Sequence, residues 1–330
     1  MNDILIVGTG SIGKRHIDNF ANHFDNIDIV DINKERLDDV CSQFNVRNAY
    51  TDFEKAFQEN KYLATAITAP PHVHLPIATT AAKNKSNLFI EKPLGINSSG
   101  WNDVIKVCDK NNIISYVAFC HRHISYTQRF QKILKSKKYG KVLHANVRWG
   151  SYLPDWHPWE DYRTFYMAKK EQGGGALLDE SHGVDLARYF FGEIKMVSAI
   201  IDNLSSLEIS SDDSAFLTLK SENGIIIQIS FDLYSRNPRV SFEAVCENGT
   251  IIWDRVNHEI KIYDKASDKW INEKYSRDDL MSMYPTQALY FYECIKKNIK
   301  PDLDIHDGLA TQKVLDAALE SSESGKNVII

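Results

Sequence analysis

The sequence lacks the features that mark several common protein classes. It has only five cysteines among 330 residues, and no two of them form a Cys-x-x-Cys pair, which argues against a disulfide framework and a structural zinc site. No apolar run approaches the roughly 20 residues that span a bilayer. Basic residues are outnumbered, since 39 Lys and Arg stand against 44 Asp and Glu. We therefore expect a cytoplasmic protein that binds neither nucleic acid nor a membrane.

The remaining composition is that of an ordinary globular protein. Hydrophobic residues make up 43% and charged residues 25% of the chain, which is long enough for two domains with separate cores. Predicted strands alternate with helices over the first third, whereas runs of strands follow Gly192. The sequence thus predicts a first domain over residues 1–120 and a second over 121–330, with the final helices able to pack back on the first domain.

A glycine-rich turn follows the first predicted strand. The apolar run Ile4–Val7 leads into Gly8-Thr9-Gly10-Ser11-Ile12-Gly13, then a helical stretch to Phe20 and a second strand that ends in Asp31. In this arrangement the first glycine permits a tight turn, the second lets the backbone approach a pyrophosphate, and the third allows close packing of helix and strand. The N–H groups at the helix N-terminus then face the phosphates. The pattern predicts a dinucleotide-binding site.

The acid at the end of the second strand bears on which dinucleotide binds. Asp31 is expected to accept hydrogen bonds from the ribose hydroxyls of the adenosine half, and its charge would repel a 2′-phosphate. The sequence therefore favours NAD over NADP as the cofactor. Lys34 and Arg36 lie close enough in sequence to weaken this preference, so NADP stays open.

The alternation of strands and helices predicts a doubly wound parallel sheet in the first domain. Ligands of such sheets bind beyond the carboxyl ends of the strands, where Thr68–His74 and Glu91-Lys92-Pro93 lie. The alternative for the first segment is a plain loop punctuated by Pro70 and Pro71, with His74 on a helix surface. Further strands are predicted at Leu63–Thr68, Asn87–Ile90 and Ile113–Phe119, and helices at His72–Ala82 and Trp101–Asp109.

A run of three glycines, Gly173–Gly175, precedes the stretch of the chain that is richest in titratable groups. Asp179, His182 and Asp185 recur every three residues, so in a helix they share one face. A histidine flanked by carboxylates can take and return a proton near neutral pH. The alternative is that Asp179 is an N-terminal cap and His182 a hydrogen-bonded core residue.

The second domain is predicted to be an open, mostly antiparallel sheet with helices on one face. Asn-Gly pairs after Glu222 and Glu247 mark hairpin turns between its strands. We expect the helix Leu177–Phe191 to pack on one face of this sheet and a partner subunit to cover the other. Strands are predicted at Lys141–Ser151, Ala215–Leu219, Ile225–Leu233 and Val240–Val245, and closing helices at Thr286–Lys297 and Gly308–Ser321.

A segment dense in aromatic and charged residues, Tyr152–Arg163, follows the first strand of the second domain. Aromatic faces stack on the C–H faces of sugar rings, and Arg163 with nearby carboxylates can hold hydroxyls or a charged group, which fits a carbohydrate site. Trp156 lies in the same segment, and Tyr166 and His123 are further candidates. The alternative is a structured loop that covers hydrophobic surface.

The order of these motifs resembles the Gfo/Idh/MocA oxidoreductase family over essentially the whole chain. The resemblance implies a Rossmann domain followed by an open sheet domain that often forms a subunit interface, so a homodimer or homotetramer is expected. It also implies a cis bond before Pro93. The motifs are Glu91-Lys92-Pro93, the turn Ala69–His74 with alanine in place of the family's threonine, Phe119-Cys120-His121-Arg122, the glycine-run helix, and the closing Ser321–Lys326.

Catalytic residues come from the resemblance, position by position. Lys92 matches the family's Glu-Lys-Pro lysine, whose ammonium can stabilise a developing alkoxide or polarise a carbonyl. Asp179 and His182 match the acid and the histidine of the glycine-run helix. Many members place that histidine four residues after the aspartate, whereas here the spacing is three, through Glu180 and Ser181. Whether His182 or Asp179 accepts the proton stays open.

The function implied by the resemblance is hydride transfer between NAD(P) and a secondary hydroxyl or ketone of a sugar, polyol or nucleotide-sugar. The alternative is a catalytically silent dinucleotide-binding sensor of the same fold, and a non-sugar carbonyl or a glycosidic bond cleaved through transient oxidation also stays open. No metal site is predicted. The residues expected to bind cofactor are Gly8, Thr9, Gly10, Ser11, Ile12, Gly13, Asp31, Thr68, Ala69, Pro70, His74, Glu91, Lys92, Pro93 and Arg122. Those expected to bind substrate are Lys92, His121, His123, Trp156, Arg163, Tyr166, Asp179 and His182.

Overall fold

A six-stranded parallel sheet lies at the centre of the first of two units in the computed structural model, which describes residues 2–330. This unit consists of the chain up to Phe119 and the segment Tyr284–Gln312. The strand order is β3-β2-β1-β4-β5-β6, which confirms the predicted doubly wound sheet. Its strands are β1 (Asp3–Val7), β2 (Asn26–Val30), β3 (Asn48–Tyr50), β4 (Ala64–Ile67), β5 (Asn87–Ile90) and β6 (Ser115–Val117). Its helices before residue 120 are α1 (Ser11–Phe20), α2 (Lys34–Gln43), α3 (Phe53–Glu59), α4 (His74–Lys83) and α5 (Trp101–Asn111).

The core of this unit forms because the central strands are apolar on both faces. All five residues of β1 and all four of β4 are buried. The predicted strand Ile113–Phe119 is shorter in the structure, where only Ser115–Val117 pairs with β5. The pairing ends there because the main-chain N–H of Phe119 donates to the carbonyl of Val117 and turns the chain.

A network of buried charges lies at the amino ends of β1 and β2. The guanidinium of Arg47 donates two hydrogen bonds to Asp28, at 2.9 and 2.7 Å, and one to Asp3 at 2.8 Å. The hydroxyl of Tyr62 donates to Asp28 at 2.8 Å. Burial alone would raise the pKa of Asp28, but the hydrogen bonds from Arg47 and Tyr62 hold that pKa below its ordinary value. One cation therefore stabilises two carboxylates that water does not reach.

A nine-stranded sheet forms the second unit, which consists of Cys120–Met283 and Lys313–Ile330. The strand order is β14-β13-β12-β11-β7-β10-β9-β8-β15. Strand β10 pairs with β7 in parallel and the other neighbours are antiparallel, which confirms the mostly antiparallel sheet. The elements are α6 (Ser125–Lys135), β7 (Val142–Tyr152), α7 (Ala176–Asp179), α8 (Ser181–Phe191), β8 (Ile194–Asp202), β9 (Ser214–Ser221), β10 (Ile226–Asp232), β11 (Tyr234–Cys246), β12 (Gly249–Asp254), β13 (Glu259–Asp264), β14 (Lys269–Lys274) and α9 (Arg277–Met281). The chain ends with α10 (Met283–Lys297), α11 (Ile305–Ser324) and β15 (Val328–Ile329).

The predicted helix Leu177–Phe191 is interrupted in the structure. Helix α7 ends at Asp179, Glu180 has non-helical backbone angles, and α8 begins at Ser181. Helix α8 packs closely on the sheet, since a Cβ atom at Gly183 would lie 2.5 Å from the ring of Phe231. The break lies between the acid and the histidine of the glycine-run motif, which an unbroken helix would place on one face.

The closing Ser321–Lys326 motif seals one edge of the nine-stranded sheet. Strand β15 pairs with β8 at Met196 and Val197. Beyond that pairing, the hydroxyl oxygens of Ser321 and Ser322 accept the main-chain N–H groups of Ala199 and Ile201 at 3.0 and 2.9 Å. The open hydrogen-bonding groups of an edge strand favour unwanted pairing with other chains, and these serines occupy them. None of the helices described in the structure has the length and hydropathy to cross a bilayer.

Candidate active site

The glycine-rich turn between β1 and α1 has the geometry that a dinucleotide needs. Gly8 has φ +100°, and a Cβ atom there would lie 2.5 Å from the main-chain nitrogen of Ala69; one at Gly13 would collide with the carbonyl oxygen of Gly8. A Cβ atom at Gly10, by contrast, would meet nothing within 4 Å. No side chain caps the N-terminus of α1, so its N–H groups face the open space beside Gly10. This cradle suits a pyrophosphate.

Asp31 is held at the end of β2 by the chain's own donors. Its carboxylate accepts the main-chain N–H of Thr9 at 2.9 Å, that of Asn33 at 3.0 Å, and a guanidinium nitrogen of Arg36 at 3.2 Å. Burial works to raise the pKa of Asp31, but these main-chain hydrogen bonds and the charge of Arg36 lower it below its ordinary value. Asp31 is therefore an ionised acceptor at the position where the adenosine ribose of a dinucleotide lies in this fold.

The pairing of Asp31 with Arg36 predicts how cofactor preference will change on mutation. The wild-type protein should bind NADH more tightly than NADPH, and Asp31→Ser should lower the ratio of Kd for NADPH to Kd for NADH at least tenfold. The reason is that the change removes a charge that repels the 2′-phosphate and leaves Arg36 to bind it. Titration of NAD(P)H fluorescence measures both dissociation constants. The control is the double variant Asp31→Ser/Arg36→Ala, in which the gain in affinity for NADPH relative to NADH should be lost. A wild-type ratio below one would contradict the assignment.

Two loops at the carboxyl ends of β4 and β5 are joined by His74. Its ring is fully buried, with Nε2 at 2.7 Å from the carbonyl oxygen of Ala69 and Nδ1 at 3.2 Å from that of Pro93. Burial lowers the pKa of His74. The hydroxyl of Thr68 donates to the carbonyl of Gly8 at 2.5 Å, and the Lys92–Pro93 peptide bond is cis, as the family resemblance implies. His74 thus contacts the loops that carry the candidate cofactor residues.

A buried cluster of acid, histidine and aromatic side chains occupies the second unit around the start of α8. The hydroxyl of Tyr166 donates to Asp179 at 2.6 Å. The ring of His182 lies 4.1 Å from that of His121, measured between centroids, and both rings stack on Trp149. Asp179 and His182 are 4% and 8% exposed. The structure therefore places four of the predicted substrate residues in this cluster and adds Trp149, which lies on a strand where an inward aromatic has no distinguishing sequence signal.

The same cluster contains the one group of described residues with metal-ligand chemistry, Cys120, His121 and His182, whose ligand atoms lie within 4.8 Å of one another. Two imidazoles that bind one zinc ion at about 2.0 Å with tetrahedral angles hold their ring centroids roughly 5 Å apart. Here the two rings overlap at 4.1 Å. They would have to separate before both could ligate one ion, so the arrangement suits ring stacking.

Arg122, which the sequence places with the cofactor residues, forms an ion pair within the second unit. Its guanidinium donates to both carboxylate oxygens of Asp185, at 2.9 and 2.5 Å, and lies 4.9 Å from the ring centroid of Tyr189. Asp185 is therefore the partner of an arginine and holds α8 to the turn that carries His121. The neighbouring His123 is partly buried, and its desolvation together with the charge of Arg122 lowers its pKa to about 4.

The aromatic segment forms 3₁₀ turns and an exposed surface. The indole N–H of Trp156 donates to the hydroxyl of Ser151 at 2.8 Å. Arg163 pairs with Asp161 at 2.8 Å and with Glu208 at 2.6 Å, so two carboxylates balance its charge. Trp159 is 76% exposed and stacks against the ring of His157. The segment thus presents aromatic faces to solvent while its arginine is bound by its own neighbours.

One acid near the glycine-run motif has no sequence signal. A carboxylate oxygen of Asp212 accepts the main-chain N–H of Leu177 at 2.9 Å, at the start of α7. The same carboxylate fills the space beside Gly175, where a Cβ atom would collide with it. Burial raises the pKa of Asp212 to about 6. Asp212 therefore caps the short helix that carries Asp179.

The raised pKa of Asp212 predicts a pH-dependent stability difference. Between about pH 4 and 6 the folded protein holds a proton at Asp212 that the unfolded chain releases, so this group's contribution to the free energy of unfolding falls as the pH rises. Asp212→Asn removes the effect. We expect the variant to gain stability relative to wild type from pH 4 to 7, by up to about 3 kcal/mol. Urea unfolding of both proteins between pH 4 and 7 tests this prediction. A difference in free energy of unfolding between variant and wild type that does not change with pH would contradict it.

Comparisons with known proteins agree with this geometry. The NAD-binding Rossmann model of the Gfo/Idh/MocA oxidoreductases matches residues 3–119, and the C-terminal domain model of that family matches residues 127–252. Among curated relatives, levoglucosan dehydrogenase of Pseudarthrobacter phenanthrenivorans is 26% identical over 68% of this chain and 64% of its own length. Myo-inositol 2-dehydrogenase of Thermotoga maritima is 25% identical over 98% of this chain and 97% of its own.

Solved structures share the fold over both domains. Levoglucosan dehydrogenase in complex with NADH and levoglucosan superposes with a TM-score of 0.88 at 19% identity, covering 100% of this chain and 99% of that one. The WlbA dehydrogenase of Bordetella pertussis, in complex with NADH and UDP-GlcNAcA, gives 0.84 at 22% identity over 99% and 98%. Together with the glycine turn and Asp31, these matches define an NAD-dependent oxidoreductase that acts on CH–OH groups. The chain belongs to the Gfo/Idh/MocA family.

Proposed function

We propose that this enzyme transfers a hydride between NAD and a secondary hydroxyl or ketone of a sugar, polyol or nucleotide-sugar. The observation that supports it most is the buried cluster in which Tyr166 donates to Asp179 and the ring of His182 lies against that of His121, because alcohol oxidation needs a base in a site with little water. The relatives named for levoglucosan and myo-inositol support a polyhydroxylated substrate.

Three residues have proposed roles in the reaction. NAD, when bound, supplies the hydride acceptor for alcohol oxidation. His182 accepts the proton of the hydroxyl, and Asp179, held by Tyr166, supports the charge that develops on the imidazole. Lys92 stabilises the negative charge on the reacting oxygen. In the reverse direction His182 returns the proton to the oxygen of the ketone.

The remaining predicted residues have binding roles in this proposal. His121, His123, Trp156 and Arg163 contact substrate hydroxyls or ring faces. The cofactor residues of the glycine turn and the strand ends hold the dinucleotide, with Asp31 on the adenosine ribose.

The open face of the nine-stranded sheet supports assembly into a homodimer or homotetramer. Ile200 is 68% and Phe216 39% exposed on this face, beside polar side chains that include Arg148 and Glu243. Apolar surface of this kind, surrounded by polar groups, marks interaction sites. All five cysteines carry free thiols, which supports a cytoplasmic location.

The experiment that tests the function is a substrate screen by the absorbance of reduced nicotinamide. Pools of free sugars with levoglucosan, polyols with myo-inositol, sugar acids and nucleotide-sugars are assayed with NAD and with NADP, and the matching ketones with NADH. We expect turnover with NAD in at least one pool. Absence of turnover in every pool, with NADH binding intact, would favour the silent sensor.

A further inference from the structure

A histidine that the proposed reaction does not use lies buried between the cofactor turn and the candidate lysine. His16 is on α1, three residues after the last glycine of the turn, and its ring is fully buried. Its Nε2 lies 2.7 Å from Oε1 of Glu91, which is itself 8% exposed. Residues 75 positions apart therefore form a buried pair in the first unit.

The second oxygen of Glu91 continues this contact to Lys92. Oε2 of Glu91 accepts the main-chain N–H of Lys92 at 3.1 Å. The main-chain N–H of Glu91 donates to the carbonyl of Ile67 at 2.9 Å, so the backbone here is still held by the sheet. The Glu91 carboxylate thus connects His16 on helix α1 to the backbone of Lys92, where the chain leaves the sheet.

The surroundings of His16 determine which nitrogen carries its proton. The ring stacks on Phe20 at 5.8 Å and meets Phe89 edge-on at 4.8 Å, measured between centroids, so it cannot turn without losing these contacts. Among the described residues no hydrogen-bond partner faces Nδ1. A proton on Nε2 donates to the carboxylate, whereas a proton on Nδ1 would be a buried donor without an acceptor.

We propose that His16 is a positioning residue for Lys92. Its Nε2–H fixes the carboxylate of Glu91, and that carboxylate fixes the backbone from which the lysine side chain extends. The helix whose N-terminus faces the dinucleotide phosphates and the lysine that stabilises the reacting oxygen then belong to one hydrogen-bonded network. The link from His16 through the Glu91 carboxylate to the Lys92 backbone stands on geometry, and its catalytic consequence rests on the proposed role of Lys92.

Amide hydrogen exchange at Lys92 tests the network without any substrate. In ¹⁵N-resolved spectra of the full chain, His16→Asn should raise the exchange rate of the Lys92 amide at least tenfold, because the shorter side chain does not reach Glu91 and the acceptor moves. His16→Gln should restore protection, since its Nε2 can occupy the place of the histidine Nε2. The amide of Glu91 is the control, because its acceptor is the carbonyl of Ile67.

Each result of this exchange experiment decides the geometric claim. Unchanged exchange at Lys92 in His16→Asn would overturn it, as would equal acceleration at Glu91 and Lys92, which marks general loosening of the helix. His16→Phe, which keeps the ring contacts with Phe20 and Phe89 and lacks the donor, serves in place of His16→Asn if the latter does not fold.

Turnover in a double variant tests the catalytic consequence, with the substrate identified by the screen above. His16→Asn should lower kcat about tenfold and change the Kd of NADH less than threefold. In the Lys92→Ala background the same change should have little further effect, since residues that act as one unit are not additive. A full tenfold loss in that background would overturn the positioning role. A normal rate for Lys92→Ala alone would instead overturn the proposed role of Lys92.

Discussion

Replacing Lys92 by alanine should lower turnover at least 100-fold and leave the Kd of NADH within about threefold of wild type. The lysine lies two residues beyond β5, at the edge of the sheet where ligands of doubly wound folds bind. In the proposed reaction its ammonium acts on charge that develops at the oxygen, and groups of this kind contribute 10²-fold or more to rate. Dinucleotide affinity is expected to survive, because the glycine turn and the N-terminus of α1 are unchanged.

The measurement is steady-state kinetics with the substrate found in the screen, together with NADH titration. Lys106→Ala is the matched control, since this lysine is exposed on α5 and pairs with exposed Asp103. The control should keep the wild-type rate. A near-normal kcat for Lys92→Ala would defeat the assignment. Equal losses of kcat and of NADH affinity would show that Lys92 acts in holding the dinucleotide or its loop and not in a step of the reaction.

Replacing Arg47 by methionine should lower the free energy of unfolding by about 3–5 kcal/mol. Arg47 is the cation shared by Asp3 and Asp28, whose side chains are 3% and 0% exposed. Methionine fills much of the same volume but leaves two buried carboxylates without their charged partner. Such a loss is a large fraction of the stability of an ordinary domain, about 5–15 kcal/mol. Urea unfolding followed by circular dichroism measures the difference.

A surface arginine provides the control for this substitution. Arg129 forms a two-bonded pair with Glu273 that is largely open to solvent, so Arg129→Met should cost no more than about 1 kcal/mol. The loss in free energy of unfolding that Arg47→Met causes, relative to wild type, should also become smaller as the pH falls from 7 to 4. Hydrogen bonds from Arg47 help to hold the pKa of Asp28 below its ordinary value, so without Arg47 this carboxylate takes up a proton more readily, and protonation removes its unpaired charge. Equal costs for the two variants at pH 7 would show that the buried network is not held by Arg47.

Local patterns along the chain were enough to predict the class of both domains. Strand β5 has the predicted ends, Asn87 and Ile90, because the buried apolar run Leu88–Ile90 is a local signal. The turn at Gly8–Gly13 was recognisable because its three glycines stand at the dinucleotide-binding spacing between an apolar strand and a helical stretch. The order of the Glu-Lys-Pro and glycine-run motifs indicated the family. The family resemblance in turn implied NAD as cofactor and the expected site residues.

Other features depend on which distant residues the fold brings together. From the sequence, Arg122 is expected among the cofactor residues and Asp185 as a third titratable group on the helix, and only the packing of α8 shows that the two pair. Likewise, the roles of His16 and Asp212 as partners of Glu91 and Leu177 follow from contacts between segments far apart in the chain.

Local patterns predicted the two sheets and the dinucleotide turn, since apolar periodicity and turn chemistry act over a few neighbouring positions, whereas the candidate catalytic residues came from the family resemblance. Only the folded chain shows the break between Asp179 and Ser181, the close approach of the His182 ring to that of His121, and the contact of His16 with Glu91. The physical reason is that a buried polar group must find a hydrogen-bond partner, and that partner is chosen by distance in the folded chain and not by position in the sequence.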